Sequence, residues 1–227
     1  MRLAAAAFLF AIIGAVPAQA AAVALVLAID VSESVSSERY ILQHEGIARA
    51  FETPQLIDAI AAVPGGIEAL VLEWSDPDKI RVTVGWSRIA NGGTAATFAA
   101  SVRATERTSH GLTAIGSAML AAAAAFDDMP EPAERRVIDV SGDGMANFGV
   151  PPATARDAIV KAGITINGLA ILTEEPWLAD YYSQNVVGGP SAFVVVAESF
   201  DSFAGAMLRK LVQEVARGPS VTVAEEH

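Results

Sequence analysis

Hydrophobic and polar positions follow two rhythms along this chain, and each change of rhythm marks an element. Residues 23–29 (VALVLAI) form an unbroken apolar run ending in Asp30-Val31-Ser32-Glu33-Ser34. A run of that length suits a strand covered on both faces. Ser36-Ser37-Glu38 then offers a helix N-cap, and Ile41, Ile47, Ala48 and Phe51 recur at helical spacing over 40–51. A short second helix over Pro54–Ala62 stops at Pro64-Gly65-Gly66, and Ile67–Trp74 is the next strand. Asp76-Pro77-Asp78 is a hairpin connection into 80–86, where Ile80, Val82, Val84 and Trp86 alternate as on a half-buried edge strand.

The same two rhythms continue to the C-terminus. Helices are expected over 94–102, 114–126, Pro152–Lys161, 176–184 and 200–215, and strands over 136–141, 164–172 and 191–197. The polar stretch 105–111 separates the first two of these helices, and Asp127-Asp128-Met129-Pro130 stops the Ala-rich one. Six strands alternating with helices predict an α/β fold. The sheet is doubly wound, six-stranded and mostly parallel, with one antiparallel edge strand and helices on both faces.

Composition changes this picture at the N-terminus. Residues 1–20 comprise a basic start at Arg2, an apolar run over 3–16, and Pro17-Ala18-Gln19-Ala20. This is the layout of an export signal, with small residues before a cleavage point after Ala20 or Ala22. As a helix the run spans about 21 Å at ~1.5 Å per residue, short of the ~30 Å bilayer core. The expected organisation is therefore a signal over 1–20, one domain over 21–217 and a loose polar tail over 218–227. Losing Arg2 with the signal moves the net charge from −11 to −12. An exported protein with no second run of spanning length should sit in a bacterial periplasm or be secreted, without stable membrane insertion.

That acidity excludes nucleic acid as a partner, because a phosphate backbone demands many cationic contacts. The chain has no Cys, which removes disulfides, thiolate zinc sites and cysteine nucleophiles together.

In an open α/β sheet, ligands bind beyond the carboxyl ends of strands, where the strand order reverses. Two polar clusters follow strands in this way, Asp30 to Ser34 and Gly142-Asp143-Gly144. In an extended exit, Asp30, Ser32 and Ser34 share one side over about 7 Å. All three are hard oxygen donors, and Mg²⁺ suits an octahedral oxygen shell that retains water. Thr113, at the start of the Ala-rich helix, and Asp143 can complete such a set from neighbouring loops.

This combination resembles the von Willebrand factor type A (vWA) domain family, in a subgroup of exported bacterial proteins. The residues that carry the likeness are an apolar strand, Asp30-x-Ser32-x-Ser34, Thr113 at a helix start and Asp143-Gly144 after a later strand. The resemblance spans about residues 22–217 and implies that family's metal-ion-dependent adhesion site, MIDAS. Ser32 and Ser34 would ligate the metal directly, Thr113 would be the third hydroxyl, and Asp30 and Asp143 would act mainly through water. The implied cofactor is Mg²⁺, with Mn²⁺ or Ca²⁺ as alternatives. The implied partner is a protein that supplies Asp or Glu to the metal.

Two features depart from the family pattern. Gly142 separates Ser141 from Asp143, and Asp139 lies within a strand that should be buried. Asp139 is either a hydrogen-bond acceptor behind the metal or an alternative carboxylate ligand, and Thr108 and Ser109 are alternatives to Thr113. Two other functions compete with adhesion. One is a periplasmic hydrolase built on Ser32, His110 and Asp143, although no Gly-x-Ser-x-Gly elbow is present. The other is a structural domain with a vestigial site. His110 reads as a loop residue and His44 as a surface residue. Trp74, Trp86 and Trp177 read as core or loop-packing groups.

Overall fold

The computed structural model describes residues 20–107 and 109–217. The expected export signal, apart from Ala20, the tail over 218–227 and the alternative ligand Thr108 lie outside the described residues. The chain runs β1 (Val23–Asp30), α1 (Ser37–Glu52), α2 (Pro54–Ala62), β2 (Ile67–Trp74), β3 (Arg81–Ile89), α3 (Gly92–Arg103) and α4 (Ile115–Ala124). It continues through β4 (Arg136–Gly142), α5 (Pro152–Lys161), β5 (Thr165–Ile171), α6 (Leu178–Asn185), β6 (Val194–Ala197) and α7 (Phe203–Ala216). Short 3₁₀ turns follow α4 and precede α7.

These strands form one six-stranded sheet in the order β3-β2-β1-β4-β5-β6. Every pairing is parallel except β2 with β3, as the sequence pattern predicts. β1 is central and buried along its whole length. One alternating set of its side chains, Val23, Leu25, Leu27 and Ile29, enters the core under α1, α2, α3 and α7. The other set, Ala24, Val26 and Ala28, smaller on average, faces the Ala-rich α4 together with Ala118 and Ala122. Small residues on both surfaces let that helix pack closely against the sheet.

β3 departs from simple alternation. Val84 pairs with Val71 and Ser87 with Ala69, so Gly85 and Trp86 together face Leu70 alone. This β-bulge, together with a second irregularity that leaves Thr83 unpaired between the Val84–Val71 and Val82–Leu72 pairs, switches faces within the strand. Val84 joins the core under α1 and α3, Trp86 packs on the opposite core, and Val82 is 51% exposed. The expectation of one apolar face over 80–86 is corrected accordingly. β6 is also shorter than expected, beginning at Val194.

β1 is followed outward by β2 and β3, and the chain then crosses to β4 on the other side of β1. The strand order therefore reverses between β1 and β4, and the crevice above that junction carries Asp30 and Asp143.

Candidate metal centre

Asp30 is the last residue of β1, and the chain then turns rather than continuing extended. The Val31 amide donates to the Trp74 carbonyl, and the Val35 amide closes a turn on the Ser32 carbonyl. The Ser32 amide donates to Asp30 Oδ1 at 2.8 Å, a local bond of the kind Asp forms two residues ahead. Ser32 and Ser34 thus converge through a turn, where sequence alternation alone suggested an extended segment. Their hydroxyl oxygens lie 3.1 Å apart, and the Ser34 hydroxyl donates to Asp143 Oδ1 at 2.6 Å. Since Ser34 has a single hydroxyl proton, Ser32 is the donor to Ser34.

Asp143 arrives from the loop after β4, so the chain Ser32–Ser34–Asp143 spans the β1/β4 crevice. Thr113 comes from a third loop. Its amide donates to Asn147 Oδ1 at 2.8 Å, while the Asn147 amide returns a bond to the Thr113 carbonyl. Asn147 therefore ties the Thr113 and Asp143 loops together. Thr113 is buried, but none of its hydrogen bonds reaches Ser32, Ser34, Asp30 or Asp143.

The electrostatics are those of two carboxylates in one dry place. Asp30 and Asp143 are both buried, and Oδ2 of each has no hydrogen-bond partner. Burial, reinforced by the nearby Asp143 charge, pushes the Asp30 carboxyl up to about 7. Burial also raises Asp143, against the Ser34 hydrogen bond and the charge of Arg39. Burial and the two carboxylate charges raise the Tyr182 phenol, whose hydroxyl is likewise unpartnered. A cation placed among these oxygens would remove the like-charge repulsion and satisfy the open lone pairs.

Gly142 has a spatial reason. A Cβ there would lie 2.7 Å from the Tyr182 hydroxyl and 2.8 Å from Asp30 Oδ2. The residue between Ser141 and Asp143 must therefore lack a side chain for the Asp30 carboxylate to sit where it does.

Two arginines hold this arrangement, and neither was apparent from sequence. Arg107 donates to the carbonyls of Val31, Ser32 and Val35, bracing the serine loop from beneath. Arg39 donates to the Ser34 carbonyl and to Glu174, with its guanidinium 3.6 Å from Asp143. No local motif marks either role, because their partners are backbone carbonyls or lie in distant loops.

Three expectations are corrected. Asp139 faces away from the crevice toward α7, ion-paired with Lys210, which also pairs with Glu214 at 2.7 Å. It sits four residues below Asp143, about 13 Å along the strand, and has no place in the centre. His44 is 4% exposed rather than superficial, with Nε2 2.9 Å from Glu73, which also accepts from the Tyr40 hydroxyl. Trp177 is 58% exposed and packs in no core, whereas Trp74 is buried and Trp86 donates to the Ala125 carbonyl. The Ser-His-Asp arrangement is not assembled, since Ser34 stands between Ser32 and Asp143. His110 instead offers its carbonyl to Lys79. Ser109 lies beside Ser75 at 3.4 Å rather than in the centre.

A family model described as a protein of unknown function, DUF1194, matches residues 20–219. The chain belongs to the DUF1194 family. No curated protein matches it by sequence. Solved structures show that the fold of this DUF1194 chain is that of the vWA domain. A von Willebrand factor type A protein from Catenulispora acidiphila aligns with a TM-score of 0.56 and 17% identity, over 86% of this chain and 42% of the other. The vWF domain of the type V pili tip protein Mfa5 from Porphyromonas gingivalis gives 0.57 and 11%, over 88% and 98%. Proximal thread matrix protein 1 from the mussel byssus, in a structure with a zinc-occupied MIDAS motif, gives 0.59 and 16%, over 86% and 46%. This DUF1194 chain thus spans under half the length of the mussel protein.

Proposed function

We propose that this DUF1194 protein is an exported protein-binding module that recognises its partner through a bound divalent cation, Mg²⁺ in the first place. Ser32, Ser34 and Thr113 would hold the ion by their hydroxyls, and Asp30 and Asp143 would hold it through water. Neutral hydroxyl ligands leave the cation electrophilic, so that it would take a carboxylate from a partner Asp or Glu as a further ligand. The observation that carries this reading is the pair of buried carboxylates with open Oδ2 atoms beside the Ser32–Ser34–Asp143 chain.

The surroundings agree with protein binding rather than small-molecule chemistry. Leu112, Met145, Phe148 and Trp177 are large, exposed apolar residues on the loops at this end of the sheet. Exposed aromatic and Met side chains around a polar centre are the composition of an interface core. The N-terminal signal pattern and the likeness to a pilus tip protein and a byssus matrix protein support export. Among the described residues no helix is long and apolar enough to cross a membrane.

A domain of net charge near −12 that seeks a carboxylate depends on its cation to offset repulsion, so binding should weaken sharply without metal. Affinity capture from the exported-protein fraction tests this. Wild type should retain a partner in Mg²⁺ and release it in EDTA, and Asp30→Ala should retain none. Equal retention by both proteins, with or without EDTA, would overturn the proposal.

A further inference from the structure

The loops around the centre differ in charge from one side to the other. On the β4–β5 side stand Glu174, exposed and paired with Arg39 at 2.7 Å, and Glu175. On the β2–β3 side a cavity of about 460 Å³ is lined by Lys79, Arg81, Arg107, Ser109 and His110, with no carboxylate in its wall. Lys79 is already paired with Asp76 at 2.6 Å. The hydrogen bonds of Arg107 and Arg81 go to neutral carbonyls, those of Ser109, Val35, Val31 and Ser32 for Arg107 and of Asp78 and Ile80 for Arg81. Two guanidinium charges therefore face this cavity without an ion-pair partner among the described residues, in a chain whose net charge is −11.

The cavity and the centre share a wall. The Arg107 group that lines the cavity also donates to the Ser32 carbonyl at 3.0 Å, and the Glu33 amide donates to the Gly111 carbonyl at 2.8 Å. We propose that this cavity receives a second carboxylate from the same partner segment, so that the recognised chemistry is a pair of acidic side chains. This rests on the metal reading above, because the first carboxylate is the one on the cation. Arg81 attracts the second, the Ser109 and Lys79 donors are within the same cavity, and Glu175, which has no cationic partner among the described residues, repels acid on the opposite side. The segment is thereby given a direction across the sheet end as well as an anchor.

The test uses synthetic peptides with two Glu residues separated by roughly one to five glycines, since the chain extends about 3.5 Å per residue. Each is compared with its counterpart in which the second Glu is Gln. Binding to the full chain is measured in Mg²⁺ and in EDTA. The best-spaced two-Glu peptide should bind wild type about tenfold more tightly than its one-Glu counterpart, equivalent to ~1.4 kcal/mol. That ratio should fall below about threefold in Arg81→Gln and invert in Arg81→Glu, and salt should reduce it in wild type. A ratio near one for wild type at every spacing, or an undiminished ratio in Arg81→Glu, would overturn the inference. Metal dependence is read separately, from the one-Glu peptides. If those bind equally in EDTA or to Asp30→Ala, it is the metal reading that fails. If they need metal but the ratio is one, the second acidic contact alone is refuted.

Discussion

Gly142→Ala is the smallest change that sets the fold against the centre. The new methyl would lie 2.7 Å from the Tyr182 hydroxyl and 2.8 Å from Asp30 Oδ2, about 0.6–0.7 Å inside ordinary contact, which begins at 3.4 Å. Neither neighbour has free space, because Tyr182 and Asp30 are both fully buried and Asp30 Oδ1 is held by the Ser32 amide. Overpacking of this kind costs about 1–3 kcal/mol. For a domain of this size that lowers the melting temperature by roughly 2–12 °C, at about 2–4 °C per kcal/mol. The larger effect is expected on the proposed cation site, because a displaced Asp30 carboxylate would no longer face Asp143. Thermal unfolding of wild type and Gly142→Ala, each with EDTA and with excess MgCl₂, separates the two effects. Wild type should gain several degrees in Mg²⁺ while the variant, folded but less stable, gains almost nothing. A variant of unchanged stability, or one that gains as much as wild type, would refute the packing argument.

Other perturbations probe independent parts of the structure. Lys210→Met leaves Asp139 and Glu214 buried without their shared cation, a loss of about 3–5 kcal/mol expected in denaturant unfolding at neutral pH. Burial and the neighbouring Glu214 charge raise the Asp139 carboxyl to about 7. Its contribution to stability is therefore complete below about pH 4 and disappears as the pH rises through 7. Asp139→Asn should accordingly gain stability relative to wild type from pH 4 to 8, and a constant difference across that range would argue against this account of the cluster. Trp177→Ala and Phe148→Ala should leave the melting temperature within about 1 °C, as for most exposed substitutions. Both should weaken metal-dependent capture of a partner by tenfold or more if they are interface anchors, which a quantitative pull-down in Mg²⁺ would measure.

The fold was readable because its signals are local. The seven-residue run of β1, the Pro-Gly-Gly stop after α2 and the helical spacing of α1 each lie within a few residues. Asp30, Ser32 and Ser34 were readable for the same reason, being close in sequence and following a strand. Grouping Thr113 and Asp143 with them rested on the order of elements as well, and of the two only Asp143 is hydrogen-bonded to the serines. What escaped depends on residues far apart in the chain. Asp139 is legible as a buried acid, but Lys210 and Glu214 are more than seventy residues away. His44 looks superficial until Glu73 comes beneath it from β2. The bulge that turns Trp86 to the other face is set by pairing with β2 and leaves no mark in the alternation. The cationic cavity combines the β2–β3 turn with the loop after α3, so no charge cluster shows in the sequence. Gly142 looked like a departure from pattern because its reason, the Tyr182 hydroxyl from α6, is a tertiary contact.

Asp30, Ser32, Ser34, Thr113 and Asp143 are proposed to hold one divalent cation together. Isothermal titration of EDTA-stripped protein with MgCl₂ and MnCl₂ can compare wild type with Ser34→Ala, which removes a proposed hydroxyl ligand and the bond to Asp143 while leaving the core intact. One site per chain is expected in wild type, with at least a tenfold loss of affinity in Ser34→Ala. Absence of binding to wild type, or equal affinity in the two proteins, would contradict the proposal.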